Sequence, residues 1–176
     1  MRIISGKYKG RKFQAPSRIK ARPTTDMARE GLFNILNQML DFRGLEVLDL
    51  FTGTGAVSLE FLSRGAEHVT AIDMDITSKK HLERVKADWD LKNLKVVKAD
   101  VLTLAKKVNQ SFDLVFADPP YGHKRFREIP EIIWSSGWVK ENGIFILEHS
   151  SEFDFSDHTH FFDHRTFGNV NFTFFQ

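Results

Sequence analysis

From residue 44 onward, short apolar runs rich in β-branched residues alternate with stretches whose apolar positions recur at helical spacing. Val47-Leu48-Asp49-Leu50-Phe51, His68-Val69-Thr70-Ala71-Ile72, Leu94-Lys95-Val96-Val97, Phe112 to Ala117 and Gly143 to Glu148 predict strands. Ala56 to Leu62, Ile76 to Leu91 and a segment between Phe126 and Trp134 predict the helices among them. This succession implies a Rossmann-like α/β fold, with a doubly wound, mainly parallel sheet and helices on both faces. Thr159 to Thr166 and Val170 to Phe175, separated by Phe167-Gly168-Asn169, predict an antiparallel hairpin closing one edge. Eight of the seventeen phenylalanines fall in residues 153 to 176, and alternate positions such as Phe172 and Phe174 read as core.

A different segment precedes this core. Arg2-Ile3-Ile4-Ser5 and Lys12-Phe13-Gln14-Ala15 flank the turn-prone Gly6-Lys7-Tyr8-Lys9-Gly10 and predict a short hairpin. Arg22-Pro23-Thr24-Thr25-Asp26 supplies a proline and capping side chains ahead of a helix from about Asp26 to Leu40. The expected organisation is one domain over 1–176, with an arm and helix in 1–43 and the core in 44–176.

At 176 residues, 41% hydrophobic and 27% charged, the composition suits one globular domain and excludes disordered, collagenous and fibrous classes. No run of 18 apolar residues occurs and the N-terminus lacks the apolar stretch of a secretory signal, so a soluble cytoplasmic protein is expected. Zero cysteines exclude disulfides, thiolate metal sites and a cysteine nucleophile. The formal charge of +2 hides a division. Residues 1 to 25 carry eight bases (Arg2, Lys7, Lys9, Arg11, Lys12, Arg18, Lys20 and Arg22) and no acid, leaving −6 for the rest. Such an arm is an electrostatic footprint for a polyanion, although a short basic run also suits solvation, an acidic protein or a membrane surface.

In an open α/β sheet, ligands bind beyond the carboxyl ends of the strands. After the first strand comes Asp49-Leu50-Phe51-Thr52-Gly53-Thr54-Gly55, whose glycines suit either a ligand or simply a tight turn. Ser58 stands where a dinucleotide fingerprint needs its third glycine, and Asp49 supplies negative charge, which favours a cationic or zwitterionic ligand over a pyrophosphate. Asp73 ends the second strand and suits ribose hydroxyls, or else a helix start. Asp100, after the third strand, has the same two readings.

The strongest signal, Asp118-Pro119-Pro120-Tyr121, follows the fourth strand. An acceptor, two prolines that fix their carbonyls and an aromatic face suit transfer to the exocyclic amine of a nucleobase. Acceptors on both N–H groups can orient and polarise an amine whose lone pair is delocalised into the ring.

These residues resemble the S-adenosylmethionine-dependent methyltransferases of the Rossmann-like class, and the Asp-Pro-Pro-Tyr motif their amino-methylating branch. With Met1 to Arg11, Arg22 to Asp26, Arg29-Glu30, Leu32 to Leu36 and Arg165 to Asn169, the chain is similar over essentially its whole length to the RsmD family, methyltransferases of a guanine N2 amine in small-subunit (16S) ribosomal RNA. The resemblance implies a seven-stranded sheet with the N-terminal arm and helix as an RNA-facing extension. It implies that Asp49, Thr52, Gly53 and Gly55 surround the methionine part of the donor, that Asp73 holds its ribose, Met74 packs on its adenine and Asp100 accepts from the adenine amine. Asp118 to Tyr121 would hold the guanine. Two departures stand out: Phe51 occupies the first glycine position of the broader loop, and Asp73 replaces a common glutamate.

The expected reaction is in-line displacement that leaves S-adenosylhomocysteine, on a guanine looped or flipped out of its helix. The expected partner is 16S RNA in small subunits or their assembly intermediates, with no obligate protein partner. No metal is expected, because His158, His160 and His164 read as surface residues. The rival readings are a DNA adenine-N6 or cytosine-N4 methyltransferase and a non-catalytic RNA-binding assembly protein.

Overall fold

The computed structural model describes residues 1–19, 25–107 and 110–176. Lys20 and Arg22, with most of the expected start signal around Pro23, lie outside them. Helix α1 (Asp26–Met39) begins at Thr25, whose hydroxyl oxygen accepts the Ala28 N–H at 3.2 Å. The chain then runs through β1 (Glu46–Leu50), α2 (Ala56–Arg64), β2 (His68–Asp73), α3 (Ile76–Asp88), β3 (Leu94–Lys98), α4 (Val101–Leu104) and β4 (Phe112–Ala117). A 3-10 turn (Phe126–Glu128) leads into α5 (Ile129–Ser135), followed by β5 (Val139–His149), β6 (Phe161–Phe167) and β7 (Val170–Phe175).

The strands form one seven-stranded sheet in the order β3-β2-β1-β4-β5-β7-β6. β1 to β5 are parallel, and β7 is antiparallel to both its neighbours. Strand order therefore reverses between β1 and β4, the crevice where open α/β sheets place ligands.

Period-two alternation divides the core. Val47, Val69, Leu114, Phe172 and Phe174 meet Leu32, Phe33, Leu59, Phe61 and Leu82 on the face covered by α1, α2 and α3. Leu48, Leu50, Val115, Phe145 and Phe175 meet Val101, Ile129 and Ile133 of α4 and α5 on the other. Phe172 and Phe174 are core, as the alternation predicts, whereas Phe161 and Phe162 on the edge strand β6 are exposed. His158 and His160 are half-buried rather than exposed: the first packs edge-on against Phe175 with centroids 5.0 Å apart, and the second stacks on Trp134 at 3.8 Å.

Several boundaries differ from the sequence pattern for local reasons. α3 stops at Asp88 because Asp90 turns left-handed (φ 51°) and the Leu91 N–H closes back on the Lys86 carbonyl at 2.9 Å. β5 starts at Val139 rather than Gly143, with Asn142 at φ 64° where its register against β4 shifts. Helix α4 is too short for any periodicity, and only the helix-start reading of Asp100 pointed to it.

The N-terminal hairpin reduces to a single antiparallel bridge between Arg2 and Lys12. Backbone pairing stops after Ile3, which bonds Arg11 and Gly10, because the N–H groups of Ile4 and Ser5 donate instead to the Glu60 carboxylate, at 2.8 and 3.0 Å. Glu60, fully buried on α2, also accepts from Arg64 Nε at 2.9 Å. The Lys7 and Tyr8 N–H groups bond Ser63 at 2.7 and 3.0 Å, and Gly6 (φ +82°) is packed so closely that a Cβ there would lie 1.9 Å from the Ser63 carbonyl oxygen. The arm is thus fastened to the carboxyl end of α2.

Candidate active site at the carboxyl ends of the strands

Parallel pairing brings the ends of β1 to β5 to one rim, so residues far apart in sequence become neighbours. Leu50 pairs with Ile72 and Ala117, and Ala117 with Leu147, which sets Asp118 and Glu148 side by side. Asp118 follows directly, its N–H donating to the Leu50 carbonyl at 3.3 Å.

The loop after β1 is held by Asp49. This buried carboxylate accepts the Thr52 hydroxyl at 2.7 Å and the Ser58 hydroxyl, both on Oδ2. The loop backbone is left-handed at Phe51 (φ 60°), Gly53 (φ 51°) and Gly55 (φ 77°). Phe51 thus adopts at a non-glycine residue the conformation glycine favours, and its ring meets His123 edge-on at 6.0 Å. A Cβ on Gly55 would lie 2.1 Å from Leu82 Cδ2, so close packing on α3 accounts for that glycine.

Asp73 accepts the Gly53 N–H at 2.8 Å on one oxygen and the Asp75 N–H at 2.8 Å on the other. The helix-start role falls to Asp75, which caps α3 through Thr77. Met74, beside it, is 67% exposed and available to a ligand's flat face. Asp100 does cap a helix: it accepts the Thr103 N–H at 2.8 Å, and that hydrogen bond lowers its pKa.

Asp118-Pro119-Pro120 runs without regular structure into a turn at Tyr121-Gly122. Pro119 is buried and Pro120 exposed. The Pro120 carbonyl accepts the His123 N–H at 2.8 Å, so one of the two carbonyls expected for substrate serves the turn. Tyr121 is half-buried and leans edge-on against Phe126, at 6.4 Å between centroids. Phe126 in turn stacks on Phe153 at 4.1 Å.

Electrostatically, this rim disfavours carboxylate charge. Burial raises the pKa of Asp49 to about 6 despite the two hydroxyls that favour its charge. The Asp118 carboxyl is pushed well above the usual carboxylate range by burial, then by the charges of Glu148 and Asp49. Glu148 and Ser58 were not anticipated as site residues. The available signal for Glu148 was an acid ending an otherwise apolar run, and none marked Ser58.

The basic arm divides spatially. α2 starts at the Asp49 loop and ends at Ser63 and Arg64, where the arm's tip is bound, so Lys7 and Lys9 lie at the far end of that helix. Arg11 is there too, stacked on Trp89 at 4.3 Å and donating to the Asp88 carbonyl. Arg2 pairs with Asp26, and Lys12 and Arg18 are exposed.

The family model described as Conserved hypothetical protein 95 matches residues 1–176. The chain belongs to this family. Family membership thereby bears out the resemblance seen in the sequence. The ribosomal RNA small subunit methyltransferase D of Escherichia coli is 33% identical over 152 residues, covering 86% of this chain and 76% of that protein. YlbH of Bacillus subtilis is 36% identical over 161 residues, covering 86% and 84%. The solved structure of yhhF from Escherichia coli covers all of this chain and 97% of its own, with 30% identity and a TM-score of 0.87.

Proposed function

We propose that the chain transfers a methyl group from S-adenosylmethionine to the exocyclic N2 amine of a guanine in 16S ribosomal RNA. The observation that carries this reading is the placement of Asp118 to Tyr121 on the rim of the β1–β4 crevice, one strand over from the Asp49 loop. Relatives named as small-subunit rRNA methyltransferases supply the substrate class.

The residues fit a cationic donor, because burial and the charge of Asp73 raise the Asp49 carboxyl, and burial and the charges of Glu148 and Asp49 raise that of Asp118. When bound, S-adenosylmethionine supplies an activated methyl group and is left as S-adenosylhomocysteine. Thr52, Gly53 and Gly55 shape the pocket for its methionine part, with Asp49 supplying the charge. Asp73 receives the ribose hydroxyls, Met74 covers the adenine, and Asp100 uses lone pairs beyond its cap for the adenine amine. Asp118 and the Pro119 carbonyl accept from the guanine amine and orient its lone pair, while Tyr121 stacks on the base. After transfer the nitrogen is cationic and acidic, and it releases its proton to Asp118 or to water. The base must leave its helix to enter. This reading places the protein in the cytoplasm with small subunits or their precursors.

Donor carrying tritium in its methyl group, incubated with small subunits lacking the modification, tests the assignment. Label in 16S RNA is expected with the native chain and its loss with Asp118→Ala, which should still bind donor. Label in duplex DNA instead, or none in RNA from a donor-binding protein, would overturn it.

A further inference from the structure

A cleft of about 480 Å³, which shares Asp100 with the candidate site, opens between α4 and the turn that follows Tyr121. Asp100, Lys106, Lys107, His123, Lys124 and Arg125 line it together with Leu102 and Thr103. Four of these side chains are permanent cations and one is an acid. Asp100 is engaged with the Thr103 N–H at 2.8 Å, and Arg125 is held by Glu128 at 2.6 Å. Lys106, Lys107 and Lys124 are exposed, and no ion pair of theirs is found among the described residues. Like charges gathered on one wall repel one another and are relieved by a polyanion.

His123 links the cleft to the base site. His123, on its wall, bonds the Pro120 carbonyl and packs against Phe51 of the loop after β1. Lys124 and Arg125 follow three and four residues after Tyr121, so a base held at Asp118 to Tyr121 leaves its sugar-phosphate chain near this wall. The tip of the arm, with Lys7 and Lys9, lies instead at the opposite end of α2.

We infer that Lys106, Lys107 and Lys124 seat the phosphates flanking the flipped guanine, making this cleft the RNA-backbone site nearest to methyl transfer. The inference rests on the preceding reading of Asp118 to Tyr121 as the base site. Lysine point charges there would fix the register of the strand without reading its sequence.

The test uses the full chain and a fluorescein-labelled RNA stem-loop with guanine in its loop, titrated over a range of salt concentrations. K106Q/K107Q/K124Q should bind roughly tenfold or more weakly, with the slope of log affinity against log salt shallower by about two. K7Q/K9Q/K12Q should change both much less, and donor affinity should be the same in all three proteins. Native affinity and slope in the cleft variant would overturn the inference, as would equal losses in both variants. A native chain that needs the cleft lysines for RNA but labels no rRNA would overturn the proposed function and leave the cleft standing.

Discussion

The backbone N–H of Gly53 donates to the carboxylate of Asp73 at 2.8 Å, tying the loop after β1 to the end of β2. The Thr52 N–H adds a second tie to the Ile72 carbonyl at 3.1 Å. Two parts of the proposed donor site that look independent along the chain are one mechanical unit, and a ligand held by Asp73 would also meet a loop that Asp73 has already ordered.

Asp73→Ala should therefore weaken donor binding by about 10- to 100-fold, the loss expected when a charged acceptor is removed. Asp73→Asn keeps one acceptor and should lose less. Isothermal titration with S-adenosylmethionine measures both, and native affinity in the alanine variant would contradict the assignment.

Asp49 links stability to pH in the opposite sense to an ordinary salt-bridged carboxylate. Its folded-state pKa of about 6 lies above the 3.8 of an unperturbed aspartate, so the fold favours the protonated form. Its stabilising contribution is complete below the lower value and is lost as pH rises through about 6. The loss amounts to roughly 3 kcal/mol at neutral pH. Asp49→Asn should accordingly melt higher at neutral pH while binding donor more weakly. Native donor affinity should rise between about pH 5 and about pH 7, as the carboxyl ionises, and the asparagine variant should lack that component.

Glu60→Ala should destabilise the protein by about 3 to 5 kcal/mol, because it strips Arg64 of its buried partner and leaves the Ile4 and Ser5 N–H groups unpaired. The arm should then open to trypsin at Lys7, Lys9 and Arg11 under conditions in which the native chain resists. Thermal melts and limited proteolysis would show both effects.

Gly31 sits inside α1, where alanine would ordinarily favour the helix by about 1 kcal/mol. Here a Cβ would lie 2.1 Å from the Phe167 ring. Gly31→Ala should instead cost roughly 1 to 3 kcal/mol in urea denaturation, and adding Phe167→Ala should recover part of the loss.

What was legible in the sequence was whatever announces itself locally. The apolar runs of β1 to β5 mark a buried parallel sheet, and Asp49, Asp73 and Asp118 stand at strand ends because the topology puts chemistry there. What escaped notice depends on distant partners. Glu60 reads as an ordinary acid in a short helix until the backbone of Ile4 and Ser5 closes on it. Ser58 reads as a missing glycine until it bonds Asp49. The eight bases of the arm read as one footprint, yet folding carries Lys7 and Lys9 away from the rim while the adjacent pair Lys106-Lys107 and the separate Lys124 gather beside it. Phe51 was visible as a departure from the glycine pattern, but its left-handed backbone was not.

The proposed function turns on one modified nucleoside. Mass-spectrometric mapping of 16S RNA from cells with and without this chain tests it most directly. A single N2-methylguanosine that disappears without the chain, and returns with the native protein but not with Asp118→Ala, is the predicted result. An unchanged set of methylated guanines in 16S RNA would contradict the account.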